Sequence, residues 1–266
     1  MKSKGKKTSG NLRFALVMVI CGALLLHGGY NLFKIFRNYR QADDLYADIS
    51  AHFVSETDVE ESAEVPGEGL PPLQVDFARL QEKNPDIIGW IYVGCADISY
   101  PVLQAKDNDY YLHRDYRGQY LYAGSIFADY RNSRHFSDIN TILYGHNMKN
   151  GSMFGRLKRL GVKKYYETDR SVWLFTPEGA YCYEALAVFE TSPESYAYRL
   201  FDRRGDDYAA WCKKMMKHAL PDTQTSPAQE GSRNLILSTC SANNSYRTVV
   251  LASMAEGESE EDDMSE

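Results

Sequence analysis

Leu235-Ile236-Leu237-Ser238-Thr239-Cys240-Ser241-Ala242-Asn243-Asn244-Ser245-Tyr246-Arg247-Thr248-Val249-Val250-Leu251 holds two apolar runs on either side of a short polar one. Leu235–Thr239 and Thr248–Ala252 have the branched composition of strands, and Ser241, Asn243, Asn244 and Ser245 are turn-forming residues. If Ser241–Tyr246 is a tight connection between antiparallel strands, Cys240 and Arg247 emerge side by side at one edge of a sheet. A guanidinium there can lower the pKa of a thiol from about 8.5, or donate to a developing oxyanion. The spacing accommodates a surface arginine and a half-buried cysteine equally well.

Strand composition recurs outward from this pair. Ile87–Val93, Ile98–Leu103, Gly124–Ala128, Thr141–Tyr144, Ser171–Thr176 and Tyr181–Glu190 are short β-type runs bounded by turn residues. With the first two they make eight strands in a mainly β domain, a barrel or a sandwich. Helical interruptions are expected at Gln74–Lys83, Asp107–Arg114, Ser152–Leu160 and Asp206–Ala219. In the last, Tyr208, Trp211, Cys212, Met215 and Met216 share one face, so that helix is expected to pack against a neighbour.

The termini differ from this domain. Residues 1–40 carry eight bases and no acid, whereas the rest of the chain nets −14, within a formal total of −6. A nucleic-acid binder would need its basic surface on the folded part, so this class is excluded. Phe14–Phe33 has no charged residue, is long enough to span a bilayer, and lacks a good small-x-small cleavage site after Leu26. It reads as an uncleaved anchor, with residues 1–13 as a cytoplasmic basic head and the chain after Lys34 outside. Apolar residues at three- and four-residue steps extend a juxtamembrane helix over 34–54. Residues 55–72, with six acids and three prolines, read as a linker, and 255–266, with seven acids and no base, as a disordered tail. The folded domain is then 73–254.

Of the cysteines, Cys21 lies in the anchor, Cys212 on the apolar helical face, Cys95 in a turn and Cys182 in a strand with no activating neighbour. No C-x-x-C or H-x-x-H pattern is present, so neither metal nor cofactor is expected. His27 lies in the anchor, His52 and His218 at helix ends, and His113 and His135 in polar loops. His146 follows Thr141-Ile142-Leu143-Tyr144-Gly145 and so projects, like Cys240, from a strand end. Together with Arg247 these make a nucleophile, a proton carrier and a charge stabiliser, the set required for acyl transfer. Such a Cys–His pair can rest as thiol and imidazole or as thiolate and imidazolium, and the sequence leaves both open.

Leu237-Ser238-Thr239-Cys240, Arg247-Thr248-Val249-Val250 and Tyr144-Gly145-His146-Asn147, in this order of spacing, resemble a sortase. Asn84-Pro85-Asp86-Ile87-Ile88-Gly89-Trp90, Asn108-Asp109-Tyr110-Tyr111-Leu112 and Ala123-Gly124-Ser125-Ile126-Phe127, with a helix before the cysteine strand, are similar to class B members in particular. The resemblance covers about residues 74–254. It implies an eight-stranded sortase-type β-barrel preceded by a membrane anchor helix, acting outside the membrane of a Gram-positive cell.

The activity so implied is that of a transpeptidase. Cys240 attacks a threonine carbonyl in the C-terminal sorting signal of a secreted protein, His146 moves the protons, and Arg247 holds the substrate backbone or the oxyanion. The acceptor is an amine of a peptidoglycan precursor or of a pilin. Asn108, Leu112, Tyr144 and Ser238 are implied as walls of the peptide site. Two other readings are weighed: a tethered cysteine peptidase with water as acceptor, which fits the same residues, and a silent surface assembly module using its tyrosines for contacts, which the intact Cys240, His146 and Arg247 count against. The connection from Cys240 to Arg247 is shorter than in many class B relatives, which implies a different lip to the groove.

Overall fold

The computed structural model describes residues 8–57, 71–223, 226–228, 231–240 and 245–254, with residues 8–13 and Cys240 described by their backbone alone. The expectations for residues 1–7 of the basic head, for 58–70 of the linker, for most of the connection after Cys240 and for the acidic tail 255–266 lie outside the described residues.

Helix α1, Thr8–Phe53, is unbroken. Among the described residues it is the one helix long and apolar enough to cross a bilayer, and its side chains from Phe14 to Phe36 are almost all exposed. The pattern then changes. Ala42, Tyr46 and Ile49 are buried, and Tyr39, Leu45 and Phe53 pack against the same core. These residues recur at three- and four-residue steps, so one stripe of the helix lies on the domain. Strand β1, Val54–Glu56, pairs antiparallel with β2, Leu73–Val75. Thr57 donates from its amide to the Pro72 carbonyl and from its hydroxyl to the Pro71 carbonyl. The two ends of the acid-rich segment are thereby held together, and Ser55 and Glu56 of the expected linker belong to a strand. Helix α2, Phe77–Lys83, starts at Asp76, whose carboxylate accepts the Arg79 amide, and buries Phe77 and Leu80.

Eight strands then close a barrel. They are β3 (Ile87–Val93), β4 (Ile98–Leu103), β5 (Ile126–Ala128), β6 (Asn140–His146), β7 (Ser171–Thr176), β8 (Gly179–Thr191), β9 (Arg233–Cys240) and β10 (Arg247–Met254). Their order around the wall is β10-β8-β7-β3-β4-β5-β6-β9. Closure leaves no exposed edge. The pairs β4–β5 and β6–β9 are parallel and the others antiparallel. Alternation sorts the side chains: Leu143, Leu235, Leu237, Val250 and Ala252 belong to the main core, and Ile142, Ile236, Val249 and Leu251 to a second cluster on the opposite face. Helix α4, Asp206–Met215, covers that face with Tyr208, Trp211, Cys212 and Met215. A four-residue helix, α3 (Lys163–Tyr166), lies between β6 and β7.

The expected strands are all present, three of them to the residue and the other five with limits shifted at their ends. The interruptions are shorter than their apolar periodicity predicts. Asp107–Arg114 contains a single 3-10 turn at Tyr110–His113, and Ser152–Leu160 holds turns followed by a 3-10 stretch at Leu157–Gly161.

Candidate active site

Strands β6, β9 and β10 are consecutive in the wall. The parallel register of β6 and β9 sets Tyr144 beside Ser238, Gly145 beside Thr239 and His146 beside Cys240. Neighbouring strands are about 4.8 Å apart, so His146 and Cys240 are lateral neighbours at the same barrel end. The antiparallel register of β9 and β10 pairs Ser238 with Val249, and the Thr248 amide donates to Thr239 Oγ1 at 3.0 Å. Arg247 is the first residue of β10, two before Val249, and its charge is felt by His146, so it stands at the same barrel end as Cys240. The three sequence-predicted catalytic positions thus lie at one end of three adjacent strands.

The His146 ring is held from one side by the segment before β5. Its Nε2 lies 2.8 Å from the Leu112 carbonyl oxygen. A carbonyl only accepts, so Nε2 carries the hydrogen and Nδ1 is the basic nitrogen. His113 stacks on His146 with ring centroids 5.0 Å apart, and Tyr122 lies parallel to it at 6.5 Å. His113 and Tyr122 also stack on one another. Burial holds the His146 pKa below the ordinary histidine value, with His113 and Arg247 acting in the same direction and the Leu112 carbonyl against them. Burial thus favours the neutral imidazole.

Beside these positions is a cavity of about 360 Å³ lined by Asn108, Leu112, Tyr144 and Arg247 together with Phe127, Asp129, Tyr130 and Tyr198, among others. Three of the four expected peptide-site residues converge there with the arginine. Ser238 does not line it. It is fully buried one layer behind, with its hydroxyl 2.9 Å from that of Tyr198, which does line the cavity. A larger hollow of about 600 Å³ between Asp86, Gln104, Lys106 and Arg134 shares Tyr130 with this cavity but contains neither Leu112, Tyr144 nor Arg247, so it is not where the catalytic positions lie.

The cavity floor is organised by a residue that the sequence did not single out. Asp129 is fully buried and accepts from Arg131 Nε at 2.8 Å, Arg131 Nη2 at 2.9 Å, Asn108 Nδ2 at 3.1 Å and the Tyr144 hydroxyl at 3.0 Å. Burial opposes its charge, but these bonds prevail and hold its pKa below the usual aspartate value. Asn108 Oδ1 accepts the Tyr130 amide at 3.0 Å. Both ends of the Asn108 amide are therefore engaged within the protein, and this side chain shapes the wall. His113, Tyr122 and Tyr198 were also unforeseen. Their only sequence signal was proximity to Leu112, to Gly124 and to a tyrosine-rich loop.

Cys95, Cys182 and Cys212 are unsuited to nucleophilic work. Burial first of all raises Cys95 to about 11 and Cys212 to about 11, and burial also raises Cys182.

The chain matches the sortase domain family over residues 91–255. It is 32% identical over 235 residues to sortase B of Listeria monocytogenes, covering 87% of this chain and 91% of that protein. Among solved structures it is similar to sortase B from Bacillus anthracis in complex with AAEK1, with a TM-score of 0.67, 33% identity and coverage of 83% of this chain and 99% of that one. It is also similar to a Staphylococcus aureus sortase B–substrate complex, with a TM-score of 0.62, 29% identity and coverage of 68% and 85%.

Proposed function

The chain belongs to the sortase family, class B, whose members are cysteine transpeptidases, and on that premise we propose that it cleaves a C-terminal sorting signal through a thioacyl-enzyme at Cys240 and passes the acyl group to an amine. The observation that carries this reading is the placement of His146, Cys240 and Arg247 at one end of three adjacent strands beside a peptide-sized cavity.

In the first half-reaction His146 Nδ1 takes the thiol proton as the sulfur attacks a threonine carbonyl of the signal. The Nε2–H bond to the Leu112 carbonyl supports the resulting imidazolium. Arg247 faces the negative charge that develops on the carbonyl oxygen. Collapse breaks the carbon–nitrogen bond, and Nδ1 returns its proton to the departing amine. In the second half-reaction the incoming amine loses a proton to Nδ1 and attacks the thioester, so that a new amide forms and the thiol is restored.

Asn108, Leu112, Tyr144 and, through Tyr198, Ser238 shape the site for the signal. The acceptor is an amine of a peptidoglycan precursor or of a pilin subunit. Residues 14–33 anchor the protein, with its N-terminus in the cytoplasm and the catalytic domain 73–254 outside, where secreted substrates and wall precursors meet it.

The test is mass analysis of sorting-signal peptides incubated with the enzyme, with and without an amine. Cys240→Ala is expected to abolish both cleavage and transfer, whereas Cys95→Ala, Cys182→Ala and Cys212→Ala retain them. Full turnover by Cys240→Ala would remove the assignment. Hydrolysis alone with every amine offered would leave a peptidase in its place.

A further inference from the structure

The juxtamembrane end of α1 reaches the groups that hold His146. Tyr46 is only 5% exposed. Its hydroxyl donates to the Gly124 carbonyl at 2.6 Å and lies 3.0 Å from Ser125 Oγ, which in turn donates to the Arg114 carbonyl at 2.8 Å. The Ser125 amide donates to the Tyr111 carbonyl and the Leu121 amide to the His113 carbonyl, at 3.1 Å each. Tyr46 therefore lies under two backbone runs, 111–114 and 121–125, that are laced to one another. These runs supply the Leu112 carbonyl and the His113 and Tyr122 rings that fix the catalytic imidazole.

The same helix also reaches, through Tyr100, the loop that bonds the backbone of His146. The Tyr46 ring meets Tyr100 edge-on at 5.2 Å, and the Tyr100 hydroxyl accepts the Met153 amide at 3.0 Å. The next residue, Phe154, donates its amide to the His146 carbonyl. Asn150, in the same loop, donates to both carboxylate oxygens of Asp43 on α1 at 3.1 and 3.2 Å.

Resting on the transpeptidase reading above, we propose that Tyr46 is a positioning residue for His146, so that the juxtamembrane helix completes the active site that it carries. The Tyr46 hydroxyl fixes the Gly124 carbonyl, and with it the run that aims the Leu112 carbonyl at Nε2. Without it, the ring that must present Nδ1 to the thiol and then to the leaving amine loses its alignment. Misplacement by about 1 Å costs up to roughly a hundredfold in rate.

The experiment uses the full chain in lipid nanodiscs. Tyr46→Phe keeps the ring and its contact with Tyr100 and removes the hydroxyl alone. Four quantities are read: kcat and KM for amine-dependent transfer of a sorting-signal peptide, the titration of His146 by NMR of labelled imidazole, and the unfolding midpoint. The groups near His146 that titrate or carry charge are His113, Tyr122, Arg247 and Cys240, and the variant leaves all of them in place. The expected result is a kcat lowered roughly tenfold, a KM within about twofold of the unmodified chain, and a His146 titration moved further below the free-histidine value, because the Leu112 carbonyl that supports the charged ring is withdrawn. Wild-type kcat and titration in a folded Tyr46→Phe chain would overturn the proposal. Should that variant unfold, Ser125→Ala opens the same junction from the barrel side and is read in the same way. If the unmodified chain transfers no sorting-signal peptide, the transpeptidase reading falls, while the His146 titration still decides the coupling to Tyr46.

Discussion

Gly124 has φ +58°, and a Cβ built on it would stand 2.2 Å from the Leu112 carbonyl oxygen and 2.8 Å from that of Tyr111. Both atoms are backbone, so neither can swing aside, and the first is the acceptor that orients His146. The left-handed conformation and the close approach each call for glycine here. Gly124→Ala is therefore expected to displace the Leu112 carbonyl and lower the rate of thioacyl formation by one to two orders of magnitude, roughly. Single-turnover kinetics with a sorting-signal peptide checks this. A variant that folds and acylates at the unmodified rate would show that the Leu112 bond does not govern His146. At this scale the sequence was partly legible. Cys240, His146 and Arg247 stand out because each sits at a strand end in a polar setting. Asp129, His113 and Tyr122 do not, because what they do arises from bonds and ring stacking between segments far apart in the chain.

Helix α4 shows how an element outside the catalytic site supports it. Trp211 is 4% exposed, lies against Phe201 and Tyr208, and donates its indole N–H to the Tyr196 carbonyl at 3.0 Å. The cluster it joins includes Ile142 of β6, Ile236 of β9, and Val249 and Leu251 of β10, the three strands that carry the catalytic positions. Trp211→Ala should cost about 3–5 kcal/mol of stability, measured by denaturant unfolding, with a smaller loss of activity at temperatures where the variant remains folded. The face of this helix was readable because its apolar period survives in the fold. Ile87–Val93, Ile98–Leu103 and Ser171–Thr176 were readable to the residue because turns bound them on both sides. The stretch Ser152–Leu160 misled for a physical reason. Met153, Phe154, Leu157 and Leu160 are spaced as in a helix and are all fully buried, but Gly151 and Met153 take positive φ and a bridge joins Asn147 to Met153. Burial imposed the period on a chain that turns. Strands β1 and β2 had no signal at all, since they are three residues each and are brought together by the packing of α1 and α2.

For the whole molecule, the division of α1 into an exposed apolar half and a half packed on the barrel predicts two different truncations. A chain lacking residues 1–36 keeps Tyr39, Ala42, Leu45, Tyr46, Ile49 and Phe53 on the core and is expected to match the intact protein in unfolding temperature and turnover. One lacking residues 1–54 loses them all. Each large side chain among them contributes about 1.5–3 kcal/mol by burial, so calorimetry should show a midpoint lowered by several degrees at least, with turnover falling in parallel. Equal stability of the two fragments would show that the packed stripe contributes little. The unbroken course of α1 has a geometric consequence as well. A helix rises about 1.5 Å per residue, so Tyr46 stands roughly 20 Å beyond Phe33 along one stiff rod. Under the anchoring proposed above, the barrel would not roam on a tether. Its catalytic end would sweep a thin slab at a set height over the bilayer, and a substrate would compete by how far the bond to be cut stands off from the lipid as well as by the residues around it.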